Sequence, residues 1–134
     1  HDILLLNNDV EILHEGWLDR LRATAHAHPR NGIVGSRLVM TDGRLLHAGT
    51  LIRPDTCWGL QIGSRELDLN QYADTRVVEG IVFACAYLRR ETIDDVGLLS
   101  EDFETYFEDT DYCLRAAEKG WRTLCCGSVT LRHH

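Results

Sequence analysis

The run Ile3-Leu4-Leu5-Leu6-Asn7-Asn8-Asp9 decides how the chain is read. Four consecutive apolar residues without alternation suit a strand buried on both faces, as in a parallel sheet. Polar residues follow at once, and open α/β sheets hold their ligands beyond the carboxyl ends of such strands. Asp9 there offers a hard oxygen to a divalent cation, or it closes an Asx turn. With no initiator Met and no basic leader, the run reads as a strand already under way. The chain is therefore expected to begin inside a domain.

Outward from this run, strand and helix patterns alternate. Residues 15–28 read as a helix, with Trp17, Leu18, Leu21 and Ala25 at helical spacing and Pro29 as its stop. Asn31-Gly32 turns into a second buried strand, Ile33-Val34-Gly35, extended through residues 37–40. Thr41-Asp42-Gly43-Arg44 is a hairpin signal, and residues 45–52 form the return strand. Residues 53–74, with Pro54, Gly59 and Gly63, read as a loop-like variable insertion. Residues 76–89 are strand-like with Gly80 interrupting them. A short helix at 90–96 is expected to end at Gly97 as an αL cap. A loop over 100–107 leads to a helix at 109–119 stopped by Gly120, with Leu114, Ala116 and Ala117 as its inner face. Short strands at 121–125 and 129–131 follow. The fold class expected is α/β with a mixed sheet.

Composition narrows the function. The 134 residues, 44% of them hydrophobic, fit one domain or a large part of one. A net charge of -7 (14 Lys+Arg against 21 Asp+Glu) disfavours nucleic acid as the partner. The longest apolar run, residues 81–88, falls short of the roughly 20 residues a membrane helix needs. Cys57, Cys85, Cys113, Cys125 and Cys126 include no CxxC pair and read as reduced, mostly buried thiols of a cytosolic protein. Cys113 is expected in the core. Cys125-Cys126 with His133-His134 matches no standard zinc-finger spacing.

Two further segments could carry chemistry. Phe107-Glu108-Asp109-Thr110-Asp111 sets three carboxylates at a helix start. That arrangement complements the helix dipole, and it equally offers a general base. His133-His134 offers imidazoles to a metal, or it is a tag remnant or loose end.

Together these segments resemble the family-2 glycosyltransferases, most closely their rhamnosyltransferase-type branch. The resemblance runs through Asn7-Asn8-Asp9, Gly35-Ser36-Arg37, Asp42-Gly43-Arg44 and His47-Ala48-Gly49. It continues through Glu79-Gly80, Phe83-Ala84-Cys85-Ala86 and Arg89-Arg90-Glu91. Glu108-Asp109-Thr110-Asp111 with Arg115, and the strand ending in His133-His134, complete it. It implies a GT-A-like mixed sheet flanked by helices. Residues 1–134 would form a single partial domain, the metal- and acceptor-binding half, lacking the N-terminal nucleotide-binding βαβ half and inactive alone.

The resemblance further implies an inverting transferase. It would move a sugar from a nucleotide-diphosphate donor to a hydroxyl of a saccharide or lipid-linked acceptor, in the cytoplasm or at the inner face of the membrane. Asn7 and Asp9 take the position of the family's DxD motif, with Asn where the first Asp often stands. Asp9 and His133 would hold a divalent metal, Mg²⁺ or Mn²⁺. Asp109 would be the general base, with Glu108 as its rival. Glu79, Gly80 and Ala84 would belong to the acceptor pocket, with Asp111 and Arg115 among the substrate-binding positions, where they brace the helix. Two rivals stand beside this reading. A non-catalytic carbohydrate-binding module on a decayed transferase fold is favoured only by Asn7. A nucleotidyltransferase would need a lysine near the phosphates, and the one lysine, Lys119, falls in a helix pattern read as buried.

Overall fold

The computed structural model describes residues 1–104 and 106–134. Thr105, inside the loop expected over 100–107, lies outside the described residues. The elements are β1 (Ile3–Leu6), β2 (Val10–Ile12), α1 (Trp17–His26), β3 (Asn31–Val39), β4 (Leu45–His47) and β5 (Thr50–Ile52). They continue with β6 (Gly59–Gln61), β7 (Arg76–Val78), β8 (Cys85–Leu88), α2 (Arg90–Val96), α3 (Glu108–Glu118) and β9 (Arg122–His133). The expected mixed α/β architecture is present: one sheet in the order β1-β8-β3-β9-β2, with β4 on β3, β7 on β9, and a separate β5-β6 ribbon.

β3 is the centre of the sheet and is buried along its whole length. It pairs antiparallel with β8 and parallel with β9. Successive side chains of a strand face opposite sides, and β3 feeds two cores accordingly. Val34 and Leu38 join Leu21 and Ala25 of α1 on one face. Ile33 joins Tyr112, Cys113 and Ala116 of α3 on the other, with Ile81, Phe83 and Trp121. Replacing a side chain such as Leu21 with Ala would cost about 2–5 kcal/mol at such a fully buried position.

Several expectations are corrected. β1 is not a strand buried on both faces of a parallel sheet. It pairs antiparallel with β8 at the edge, leaving Ile3 and Leu6 substantially exposed. The return strand after the hairpin is broken into β4 and β5 at Gly49, whose φ is 114°. The two short C-terminal strands are one strand, β9, which shifts register against β3 between Ser36 and Arg37. Gly97 has positive φ (95°) but ψ of -162°, so it caps α2 without the αL conformation. Its N–H still returns to the Ile93 carbonyl.

α3 turns a different face inward than its aliphatic residues suggest. Tyr112, Cys113 and Ala116 are buried, whereas Ala117 is exposed and Leu114 only half-buried. Tyr112 is the reason. Its ring meets Phe83 edge-on and its hydroxyl donates to the Gly97 carbonyl at 2.8 Å, a use of both ends that Leu114 could not supply. Lys119 is exposed rather than buried, with Nζ 3.7 Å from Asp95.

Residues 53–74 are more structured than a loop-like insertion. β6 pairs with β5, and the buried Arg37 reaches across to Asp68 at 3.1 Å and Asn70 at 3.1 Å. Among the described residues, no helix is long and apolar enough to cross a membrane.

Candidate functional site

Three parts of the sheet end in one cleft of about 580 Å³. Asn7 arrives at the end of β1, tied by its N–H to the Ala84 carbonyl at 2.9 Å. Ala84 and Phe83 line the cleft just before β8 begins, and His133 reaches it at the end of β9. The first turn of α3 adds Glu108, Asp109 and Thr110, and the β5-β6 ribbon adds Trp58, Gly59 and Gln61.

The start of α3 has unusual backbone geometry. Tyr106 and Phe107 both adopt positive φ (67° and 69°), the left-handed region that costs a side-chain-bearing residue energy. This turn aims the helix N-terminus into the cleft. Asp109 Oδ1 accepts the Thr110 N–H at 2.7 Å. Glu108 behaves differently: its Oε2 is removed from solvent and has no hydrogen-bond partner among the described residues. A buried carboxylate oxygen without a donor is costly. A ligand that brings a proton donor or a cation would match it.

Asp9 sits beside the cleft rather than in its lining. Its carboxylate oxygen Oδ2 lies 3.5 Å from His133 Nε2, and its carbonyl accepts the His134 N–H at 2.9 Å. His133 therefore belongs to an ordered strand, not a loose end. Among the described residues, no group of three or more His, Cys, Asp or Glu is placed to hold a metal ion. A cation at Asp9 and His133 would need its remaining ligands from a bound substrate, as Mg²⁺ commonly does from phosphates. The pairs Cys125-Cys126 and His133-His134 form no such group either.

The other expected site residues lie elsewhere. Glu79 lines a separate groove with Ile52 and Arg53, and its carboxylate accepts the Ile52 N–H. Gly80 exchanges both backbone hydrogen bonds with Thr50. Asp111 pairs with Arg115 at 2.9 Å, and Arg115 also donates to the Val96 and Leu98 carbonyls. Asp111 and Arg115 thus tie α3 to the end of α2 and the segment after it, and none of these four residues lines the cleft.

All five cysteines are free thiols; four are buried and Cys57 is exposed. Burial pushes the Cys113 and Cys125 thiols up to about 12 and Cys85 to about 11, so none of the three is a ready nucleophile.

Sequence reading missed Trp58, Gln61 and Tyr106 as cleft residues, and missed the role of His47. His47 is fully buried, and burial lowers its pKa to about 4 despite a hydrogen bond with Gln61 that acts the other way. Its own motif, His47-Ala48-Gly49, was the available signal, because a histidine at the end of a buried strand needs polar partners.

No protein-family model matches the chain. It is 31% identical, over an alignment of 137 positions covering 98% of its length, to the O-antigen biosynthesis protein RfbC of Myxococcus xanthus. It is likewise 31% identical, at the same coverage, to the uncharacterized protein y4gI of Sinorhizobium fredii. The chain spans 11% of the first relative's length and 15% of the second's.

Proposed function

We propose that the cleft serves inverting glycosyl transfer in the biosynthesis of a surface carbohydrate, on a GT-A-type domain. The donor is a nucleotide-diphosphate sugar and the acceptor a hydroxyl of a saccharide or lipid-linked saccharide. One observation carries the reading: the α3 carboxylates, Asn7 and His133 line one cleft, although they lie far apart in sequence. The name of the Myxococcus relative, an O-antigen biosynthesis protein, supports a role in carbohydrate biosynthesis.

Asp109 is assigned as the base that takes the acceptor hydroxyl's proton. Glu108 Oε2, without a donor among the described residues, would accept from a neighbouring hydroxyl of the acceptor, which leaves the attacking hydroxyl's single proton to Asp109. The hydroxyl oxygen then attacks the anomeric carbon from the face opposite the diphosphate, the bond to the diphosphate breaks, and the centre inverts. Asp9 and His133 would hold Mg²⁺ or Mn²⁺, which supplies positive charge to the departing diphosphate.

A second reading is carried by Asn7, which stands where the related motif often has a carboxylate, and by the exposed aromatic rings at the cleft. In that reading the chain binds carbohydrate without transferring it. Because residues 1–134 span only a small part of the relatives they match, the deciding experiment incubates the full-length protein with a panel of nucleotide sugars and Mg²⁺ or Mn²⁺. Metal-dependent turnover lost in Asp109→Asn supports transfer. No turnover with any donor, and no metal-dependent nucleotide binding, overturns it in favour of the binding module.

A further inference from the structure

Part of the cleft's lining is not used by the transfer chemistry. Trp58, at the entry to β6, keeps 56% of its surface exposed, and its ring meets Phe107 edge-on with centroids 5.4 Å apart. Large aromatic faces left open in a cleft mark a binding surface.

Beside it, Gln61 is held in one orientation. The Val82 N–H points to His47 Nε2 at 3.4 Å, so the opposite ring nitrogen, Nδ1, carries the proton and donates it to Gln61 Oε1. Thr50 Oγ1 donates to the same Oε1 at 3.2 Å. The amide oxygen is thereby committed to the protein. The amide N–H₂ has no partner among the described residues, and Gln61 lines the cleft. The burial that keeps His47 neutral keeps this arrangement fixed.

An exposed aromatic face beside one oriented donor matches a ligand with an apolar C–H face and oxygen acceptors on its rim. A pyranose ring has both. Glu108 and Asp109 line the same cleft, so a neutral, hydroxyl-bearing ligand is favoured there over a phosphate. We propose that Trp58 and Gln61 form the acceptor-sugar subsite, Trp58 stacking on the ring and Gln61 donating to a ring or hydroxyl oxygen, with His47 as the positioning residue. This rests on the transferase reading for the word acceptor, but the saccharide site stands on its own geometry.

The test is a titration of the protein with methyl pyranosides of the gluco, galacto, manno and L-rhamno series, followed by saturation-transfer NMR, with uridine as a control. At least one glycoside is expected to bind. Trp58→Ala and Gln61→Leu should each weaken it by about tenfold or more, and Trp58→Phe should retain most of it. Trp58 is exposed, so its loss should leave the fold intact. The proposal is overturned if no glycoside binds, if the variants bind as well as the parent, or if only uridine depends on Trp58. The two readings separate cleanly. Transfer with an acceptor KM unchanged in both variants would remove the subsite and keep the transferase. Trp58-dependent glycoside binding without turnover would keep the subsite and remove the transferase.

Discussion

His133 Nε2 lies 3.5 Å from Asp9 Oδ2, and strand register holds the two together. Val10 pairs with His133 across the antiparallel β2-β9 ladder, so the turn carrying Asp9 is delivered to the end of β9. Asp9→Ala and His133→Ala are therefore expected to weaken Mn²⁺-dependent nucleoside diphosphate binding, each by about tenfold or more, as losses around a metal site commonly do. Calorimetry with and without Mn²⁺ checks this. Both side chains are partly exposed, so the circular dichroism spectrum should not change. Unaltered affinity in either variant removes that residue from the metal assignment.

The adjacent carboxylates of α3 should respond in opposite ways. Asp109→Asn removes the assigned base and is expected to lower kcat by about 10²–10⁴-fold while KM changes little. Glu108→Gln keeps the shape but replaces a carboxyl group whose Oε2 has no partner among the described residues. It should raise acceptor KM, and the melting temperature should stay level or rise, because an amide at this position costs no more to bury than the unpartnered carboxyl oxygen it replaces. A fall in Tm for Glu108→Gln would show that the free protein supplies a partner after all.

How far the sequence speaks for itself follows from these residues. β3, α1 and the hairpin at Gly43 were legible because burial and turn chemistry are local in sequence. Of the residues singled out from sequence, the fold brings Asn7, Ala84, Glu108, Asp109 and His133 to one cleft, whereas Asp9, Glu79, Gly80, Asp111 and Arg115 lie outside its lining. Trp58 and Gln61 were not legible, because they lie in an irregular stretch whose order depends on distant anchors such as Arg37 to Asp68. The inner face of α3 was misread because Tyr112 is amphipathic, and only the position of the Gly97 carbonyl shows which way it turns. β9 was read as two short strands, whereas it is one strand with an irregularity around Gly127 and Ser128, which depends on its pairing with β3.

That irregularity makes a further prediction. A Cβ on Gly127 would lie 2.1 Å from the Tyr72 carbonyl oxygen and 2.6 Å from the Asp74 carbonyl oxygen. Both are backbone atoms and cannot rotate away. Gly127→Ala must displace residues 72–74 or bend β9, at a cost of about 1–3 kcal/mol or more. Urea denaturation should show a lower midpoint, whereas Gly43→Ala, which meets no atom within 4 Å, should lose only what its positive φ (81°) imposes. Equal losses at the two positions would mean that the close approach is not what selects glycine at 127.

His47 should make folding stability depend on pH in a defined window. Its ordinary value is 6.5, and burial lowers it to about 4 in the folded protein. Between these values the unfolded chain binds the proton and the folded chain does not, so stability rises with pH. The contribution is complete above about 6.5 and is lost progressively as pH falls toward 4, on the order of 3 kcal/mol in total. Asp2 titrates outside this window. Burial raises its carboxyl, but hydrogen bonds from Tyr87, the Arg90 N–H and His26 outweigh that and hold it at about 2. Its contribution is thus present above 3.8 and lost only below. Unfolding free energies of the parent and His47→Asn should therefore converge as pH falls from 7 to 4.5, because the variant has no imidazole to titrate. The remaining histidines cancel in that difference. A gap that stays constant with pH would mean that His47 takes up its proton equally in the folded and unfolded chains, and a gap that widens as pH falls would mean that the fold favours the charged ring; either outcome would show that burial does not keep His47 neutral.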